Sequence, residues 1–189
     1  MIESKIVYFD RTGEENTEQT LRIAGQRAKE LGIKTILVAS TRGEVAVKAM
    51  DILKGFRIII VTHSTGFRAP NTQEFTEENR KIVEEKGGII LTCPHLFAAV
   101  SRAVRNKTNT TALGDLISDV LRVAGGEGMK VAIEIAMMAA DAGLVRVDEE
   151  VVCVAGTAKG ADFACVLTPV NSQLFFSMRV KEILCKPRF

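Results

Sequence analysis

Short apolar, β-branched runs alternate along this chain with longer segments whose apolar residues recur three and four apart. Ile6-Val7-Tyr8-Phe9, Thr35 to Ala39, Arg57 to Thr62, Ile89 to Thr92, Val151 to Ala155 and Phe163 to Leu167 have the first character and predict strands. The Thr35–Ala39 run is apolar without alternation, as expected for a strand covered on both faces. Leu21, Ala24, Ala28 and Leu31 mark one face of a helix that Asn16 or Thr17 caps and Gly32 ends. Val45, Ala49, Met50 and Leu53 mark a second helix, closed by Gly55. Thr76 to Lys86 is a strongly charged, peripheral helix with little beyond Ile82 and Val83 to bury. Pro94 starts a further helix continued by Leu96, Val100, Ala103 and Val104. Leu113, Leu116, Ile117, Val120 and Leu121 predict another amphipathic helix. A last one runs from about Glu127 to Ala142, with Val131, Ile135, Met138 and Ala139 inward.

Strands alternating with helices at this pace predict a parallel sheet with right-handed crossovers. The connection from Val151–Ala155 to Phe163–Leu167 is too short for a crossover, so that pair is antiparallel. The tail from Leu184 to Phe189 is basic and predicts a partly paired edge. His63 to Phe75 is a long polar stretch with Gly66 and Pro70, expected to be an ordered lid or flap.

At 189 residues, without linker, repeat or low-complexity tract, the chain predicts a single α/β domain over residues 1–189. Its net charge of +2 is interspersed, and it has no Trp and one Tyr, which argues against nucleic acid. No apolar run reaches the roughly 18–20 residues that span a bilayer, and the start has no signal-peptide core. A cytoplasmic protein with no membrane partner is expected. Cys93, Cys153, Cys165 and Cys185 form no CxxC pair and read as free thiols, with neither disulfides nor a metal site. No GxxxxGK[ST] exists and no GxGxxG follows a strand, which sets aside P-loop and dinucleotide folds.

In an open α/β sheet, ligands bind outside the carboxyl ends of the parallel strands. Two strands here end in small polar loops. Ser40, Thr41, Arg42 and Gly43 combine hydroxyls, a guanidinium, a glycine and a following helix N-terminus, which suits a phosphate; a plain helix cap is the competing reading. Thr62, His63, Ser64 and Thr65 would lie beside that loop, with His63 a ligand contact or a loop residue satisfied by backbone. His95 follows the next strand, and with Cys93 or His63 it invites a thiolate-nucleophile reading. Asn16 and Thr17 lie at the crevice rim, and Gly156, Thr157 and Lys159 end a strand at the same sheet edge, as ligand contacts or as cap and hairpin loop. Glu134, on the inner side of an apolar helix, is expected at the rim with its carboxylate reaching water. No catalytic residue is assigned.

Two stretches carry a family resemblance. One is Asn16-Thr17-Glu18-Gln19-Thr20 through Leu31-Gly32-Ile33-Lys34-Thr35 to Ser40-Thr41-Arg42-Gly43-Glu44-Val45-Ala46. The other is Ala139-Ala140-Asp141-Ala142-Gly143-Leu144-Val145 with Val151 to Gly156 and the glycine loop before Phe163. Together they resemble the C-terminal α/β domain of pyruvate kinase, and more closely the small stand-alone archaeal-type proteins built from it. The resemblance implies a three-layer α/β/α fold whose mixed, mostly parallel sheet has strand order 3-2-1-4-5, with the last strand antiparallel. It implies a phosphate at the loop matching Ser40 to Gly43, and FMN as the bound cofactor, in a protein of undefined role. A flavin- or thiol-dependent enzyme using His63, Cys93 or His95, and a sugar-phosphate-sensing module without cofactor, are the alternatives. The enzyme's catalytic barrel is not in this sequence, so kinase activity is not implied. Phe67 to Phe75 is an insertion relative to the enzyme domain. Phe175, Phe176 and Leu184 are apolar for a terminal segment, and either cover this chain's own sheet or support a homo-oligomer.

Overall fold

The computed structural model describes Met1 and residues 3–188. Seven strands form one sheet: β1 (Val7–Phe9), β2 (Thr35–Ala39), β3 (Arg57–Val61), β4 (Ile89–Leu91), β5 (Val151–Ala155), β6 (Phe163–Thr168) and β7 (Arg179–Pro187). Six helices accompany them: α1 (Thr17–Leu31), α2 (Glu44–Ile52), α3 (Glu77–Glu85), α4 (Ala99–Thr108), α5 (Leu113–Gly125) and α6 (Glu127–Asp141). The spatial order is β1-β7-β6-β5-β2-β3-β4. Counted from β2, the run β4-β3-β2-β5-β6 is the expected 3-2-1-4-5, and β6 is the strand that runs against its neighbours.

β2, β3 and β5 are apolar at consecutive positions because both sheet faces are covered. On one face Leu21, Ala24 and Ala28 of α1, Ala46, Ala49 and Met50 of α2 and Val83 of α3 pack on Ile36, Val38, Ile58, Ile60, Val152 and Val154. On the other, α6 lies almost wholly buried on Leu37, Ile59, Val61, Cys153 and Cys165, with Ile117 and Leu121 of α5 outside it. The close approach of α6 to β6 depends on Gly128, where a Cβ would come within 2.2 Å of the Phe163 Cβ. The result is the three-layer α/β/α architecture. No helix among the described residues is long and apolar enough to cross a membrane.

Four local expectations change. The tail is not an edge: β7 is inserted between β6 and β1, with Leu184 and Cys185 buried, so β1 forms the edge strand. Phe189, the end of that expected segment, lies outside the described residues. Pro94 does not open a helix; the chain turns through 92–98 and α4 begins at Ala99. Val100, at 76 % exposure, and Val104 then face outward, as do Leu113, Leu116 and Val120 of α5. The periodicity there was real, but part of the apolar stripe faces away from the sheet. Finally, Asn16 gives α1 no side-chain cap; a 3-10 turn at Glu14–Asn16 leads in, and the Asn16 amide donates to the Arg11 carbonyl at 2.8 Å. Near the terminus, Leu184 and Phe175 pack on this chain's own sheet, whereas Phe176 is 90 % exposed.

Candidate functional site

A cavity of about 1030 Å³ opens at the carboxyl ends of β2, β3 and β5. The strand ends bring Ser40, Thr41, Arg42, Thr62, His63, Gly156, Thr157 and Lys159 to its wall, and His95 joins from the segment after β4. Five other residues singled out in the sequence do not line it. Thr17 is buried, its hydroxyl accepting from the Ala161 N–H at 3.0 Å. Asn16 sits in the lead-in turn. Gly43 is buried within the first loop, Ser64 is half-buried, and Thr65 is exposed, lining a separate depression against α3.

The first loop is built as a helix start. The N-cap position of α2 is Gly43, and Ser40 Oγ, from before the helix, accepts from the Ala46 N–H of its first turn at 3.3 Å. Gly43 has φ of 109°, and a Cβ there would meet the Asn79 Cβ at 2.4 Å. That approach lets the Asn79 amide and the Thr76 N–H both donate to the Arg42 carbonyl, at 3.0 and 3.2 Å. The loop is therefore fixed from behind by α3, while Thr41, Arg42, Glu44 and Val45 face the cavity. The first N–H groups of a helix have no partner within it. None is found for Glu44 or Val45 among the described residues.

The second loop carries a hydroxyl–imidazole–carboxylate row. Thr41 Oγ1 lies 3.4 Å from His63 Nε2, and His63 Nδ1 lies 2.7 Å from Glu74 Oε2. Burial pushes the Glu74 carboxyl up, but His63 and Arg68 outweigh it and hold the group below its usual range. Thr62 is turned inward to Thr92, hydroxyl to hydroxyl at 2.7 Å, and shapes the strand end. The 63–75 segment is ordered by its own bonds: Gly66 N–H to the Thr72 carbonyl, and the Gln73 amide to the His63 carbonyl. Its Phe67 ring packs on His63 at 4.0 Å between centroids and on His95 at 5.1 Å.

Behind His95 stands a buried ion pair. Lys130 and Glu134 are 6 % and 2 % exposed and joined at 2.6 Å, one helical turn apart on α6. Glu134 also accepts from the Phe97 N–H at 2.8 Å and lies 3.9 Å from His95 Nδ1. It is thus a core carboxylate, not the expected rim residue, because Lys130 and a backbone N–H satisfy it. Burial holds the His95 imidazole below its ordinary pKa; Glu134 opposes this, and His63, Lys130 and Arg102 add to it. His95 Nε2 is buried with no hydrogen-bond partner among the described residues. An unsatisfied polar atom of this kind costs about 1–3 kcal/mol. Cys93 is no activated nucleophile: burial, Asp141 and Glu134 all push its thiol up, away from the thiolate.

On the rim, Lys159 pairs with Glu14 at 2.6 Å and the Thr157 hydroxyl donates to Asp162 at 3.4 Å. Asp162, buried and raised by that burial, also accepts from the Gly13 N–H, tying the loop after β1 to the loop after β5. At the far end Arg122 bridges Asp119 and Glu127, and Arg105 pairs with Asp115.

Glu74, Phe67, Arg102 and Lys130 line the cavity without having been singled out as candidates. Lys130 and Glu134 did leave a trace: between the helix's terminal Glu127 and Asp141, they are the charged pair, four apart, in an apolar run. The fold, with its cavity at the strand ends, agrees with the comparison to known families. The model for the pyruvate kinase alpha/beta domain matches residues 18–167, from the start of α1 through β6, so this chain belongs to the pyruvate kinase alpha/beta domain family.

Proposed function

We propose that the cavity binds a phosphorylated small molecule, with FMN as the best-supported ligand. The observation that carries this is the start of α2. There the partnerless N–H groups of Glu44 and Val45 and the hydroxyl of Thr41 share the cavity wall with Arg42. No carboxylate lies within 4.0 Å of Arg42 among the described residues. Helix N–H groups beside a guanidinium without a carboxylate partner form an anion site. Ser40 Oγ is committed to the Ala46 N–H, so Thr41 and Arg42 would take the phosphate, with Thr157 and Lys159 across the rim. Val131, Ile135 and Met138 line the same cavity and offer apolar surface to a flat ring. This donor set and this wall fit FMN. When bound, the flavin would supply one- or two-electron redox chemistry; the protein's own part is to bind, orient and shield it.

FMN added to the purified chain should raise its melting temperature, since a ligand that binds only the folded state stabilises it. Riboflavin, which lacks the phosphate, should do so much less, and Arg42→Ala should weaken FMN binding about tenfold, the size of one charge-assisted hydrogen bond. A colourless protein that neither takes up nor is stabilised by FMN overturns the flavin reading. Stabilisation by a sugar bisphosphate alone would leave a phosphate-sensing module in its place.

A further inference from the structure

The cavity extends well beyond the start of α2, and its volume of about 1030 Å³ is at the upper limit of what one small ligand fills. Its other part is lined by His95, Phe67, Arg102 and Lys130. The Arg102 guanidinium lies over the Phe67 ring, 4.1 Å from the centroid. Its one hydrogen bond, to the Phe67 carbonyl, is 3.5 Å long. No carboxylate stands within 4.0 Å of it among the described residues. A guanidinium has five donors, so most of this one's capacity is unspent. Lys130 spends one ammonium proton on Glu134 and keeps two. His95 Nε2 is the buried nitrogen without a partner, whereas buried polar atoms are ordinarily paired.

We propose that Arg102, Lys130 and His95 Nε2 form a subsite for the carboxylate of a small organic acid, covered by Phe67. The charges facing His95 are Glu134, Lys130, Arg102 and the second imidazole, His63. Glu134 balances Lys130, and Glu74 is engaged by His63 and Arg68, which leaves Arg102 in excess. A monoanion neutralises that excess; a phosphate dianion would leave a net negative charge in a partly buried place. A planar guanidinium fork beside one ring N–H also matches two coplanar oxygens. Glu134 is 3.9 Å from His95 Nδ1, beyond hydrogen-bond range, so the ring is free to carry its proton on Nε2 and to donate from there once Phe67 turns aside. Phe67 belongs to the 63–75 segment, which is held mainly by its own hydrogen bonds, so its ring can swing without breaking the sheet. This subsite goes beyond the phosphate end and stands without it.

The chain has two histidines, so ring-nitrogen NMR of the full-length protein resolves each, with His63→Gln giving the assignment. Acetate should shift the His95 ring signals saturably, and acetamide, its uncharged analogue, should not. Arg102→Gln should weaken acetate binding at least tenfold while leaving FMN binding within twofold. Phe67→Ala should bind acetate at least as tightly as the native chain. The proposal falls if acetate and acetamide act alike on the native protein, or if His95 does not respond. It also falls if inorganic phosphate competes for the same His95 shift with equal affinity, or if a folded Arg102→Gln binds acetate unchanged. Loss of FMN binding alongside a normal acetate response would remove only the reading of the phosphate end.

Discussion

His63 is held from both sides, by the Thr41 hydroxyl at 3.4 Å and the Glu74 carboxylate at 2.7 Å. A carboxylate behind an imidazole fixes the ring's orientation and its tautomer. The arrangement fixes the ring between two loops that follow adjacent strands, so the loop before α2 and the 63–75 segment meet at this side chain. Its consequence for stability follows from Glu74. That carboxyl titrates below its ordinary 4.5 in the folded chain, so it contributes stability above about pH 4.5 that is lost as the pH falls through the lowered value. Glu74→Gln should therefore be less stable than the native chain near neutrality. The gap in urea midpoint should shrink as the pH falls below about 4.5. A gap independent of pH would mean that Glu74 acts through packing alone. The residues of this row were unequally legible. His63 stood out as a polar residue at a strand end, but Glu74 lies eleven positions on, in a loop rich in polar residues, and nothing local distinguishes it from Gln73 or Glu77.

At the scale of elements, α6 carries the largest electrostatic commitment. It is the central helix of its layer, and it buries Lys130 and Glu134 together with its apolar residues. Such a pair gains little net stability, yet removing one partner strands the other charge. Lys130→Met should destabilise the chain by about 3–5 kcal/mol, read from chemical denaturation. Adding Glu134→Gln, which keeps an acceptor for the Phe97 N–H, should restore much of that loss. An equal or larger loss in the double variant would show that the pair, not the stranded charge, holds the helix. α4 and α5 show the opposite behaviour. Leu113 at 73 % exposure and Val123 at 91 % are apolar yet outward, while Gly114 and Ser118 face the interior. Their hydrophobic period predicted both helices, though α4 starts at Ala99 and not at Pro94, and period alone does not say which side meets the sheet.

The whole molecule is organised around where β1 and β7 go. The matched family segment ends at residue 167, before β7 begins, and starts after β1. Yet β7 pairs with β6 on one side and β1 on the other, and Leu184 and Cys185 complete the core under α1. A chain ending at Ser177 should lose cooperative unfolding and expose the edge of β6, observable as a broadened denaturation transition and lost NMR dispersion. A sharp transition in that truncation would show that the matched segment folds without the added strands. The sequence by itself determined six of the seven strands, the presence of the six helices, the antiparallel return at β6 and the polar strand ends that became the cavity wall. All of these follow from local period, short loops and turn chemistry, which act within a few residues. Only the tertiary structure decided that β7 enters between β6 and β1, that His63 meets Glu74, that Lys130 and Glu134 are buried behind His95, and that Phe67 packs on both imidazoles. Those depend on pairing between distant segments, where several partners satisfy the same local pattern and the choice is made by packing.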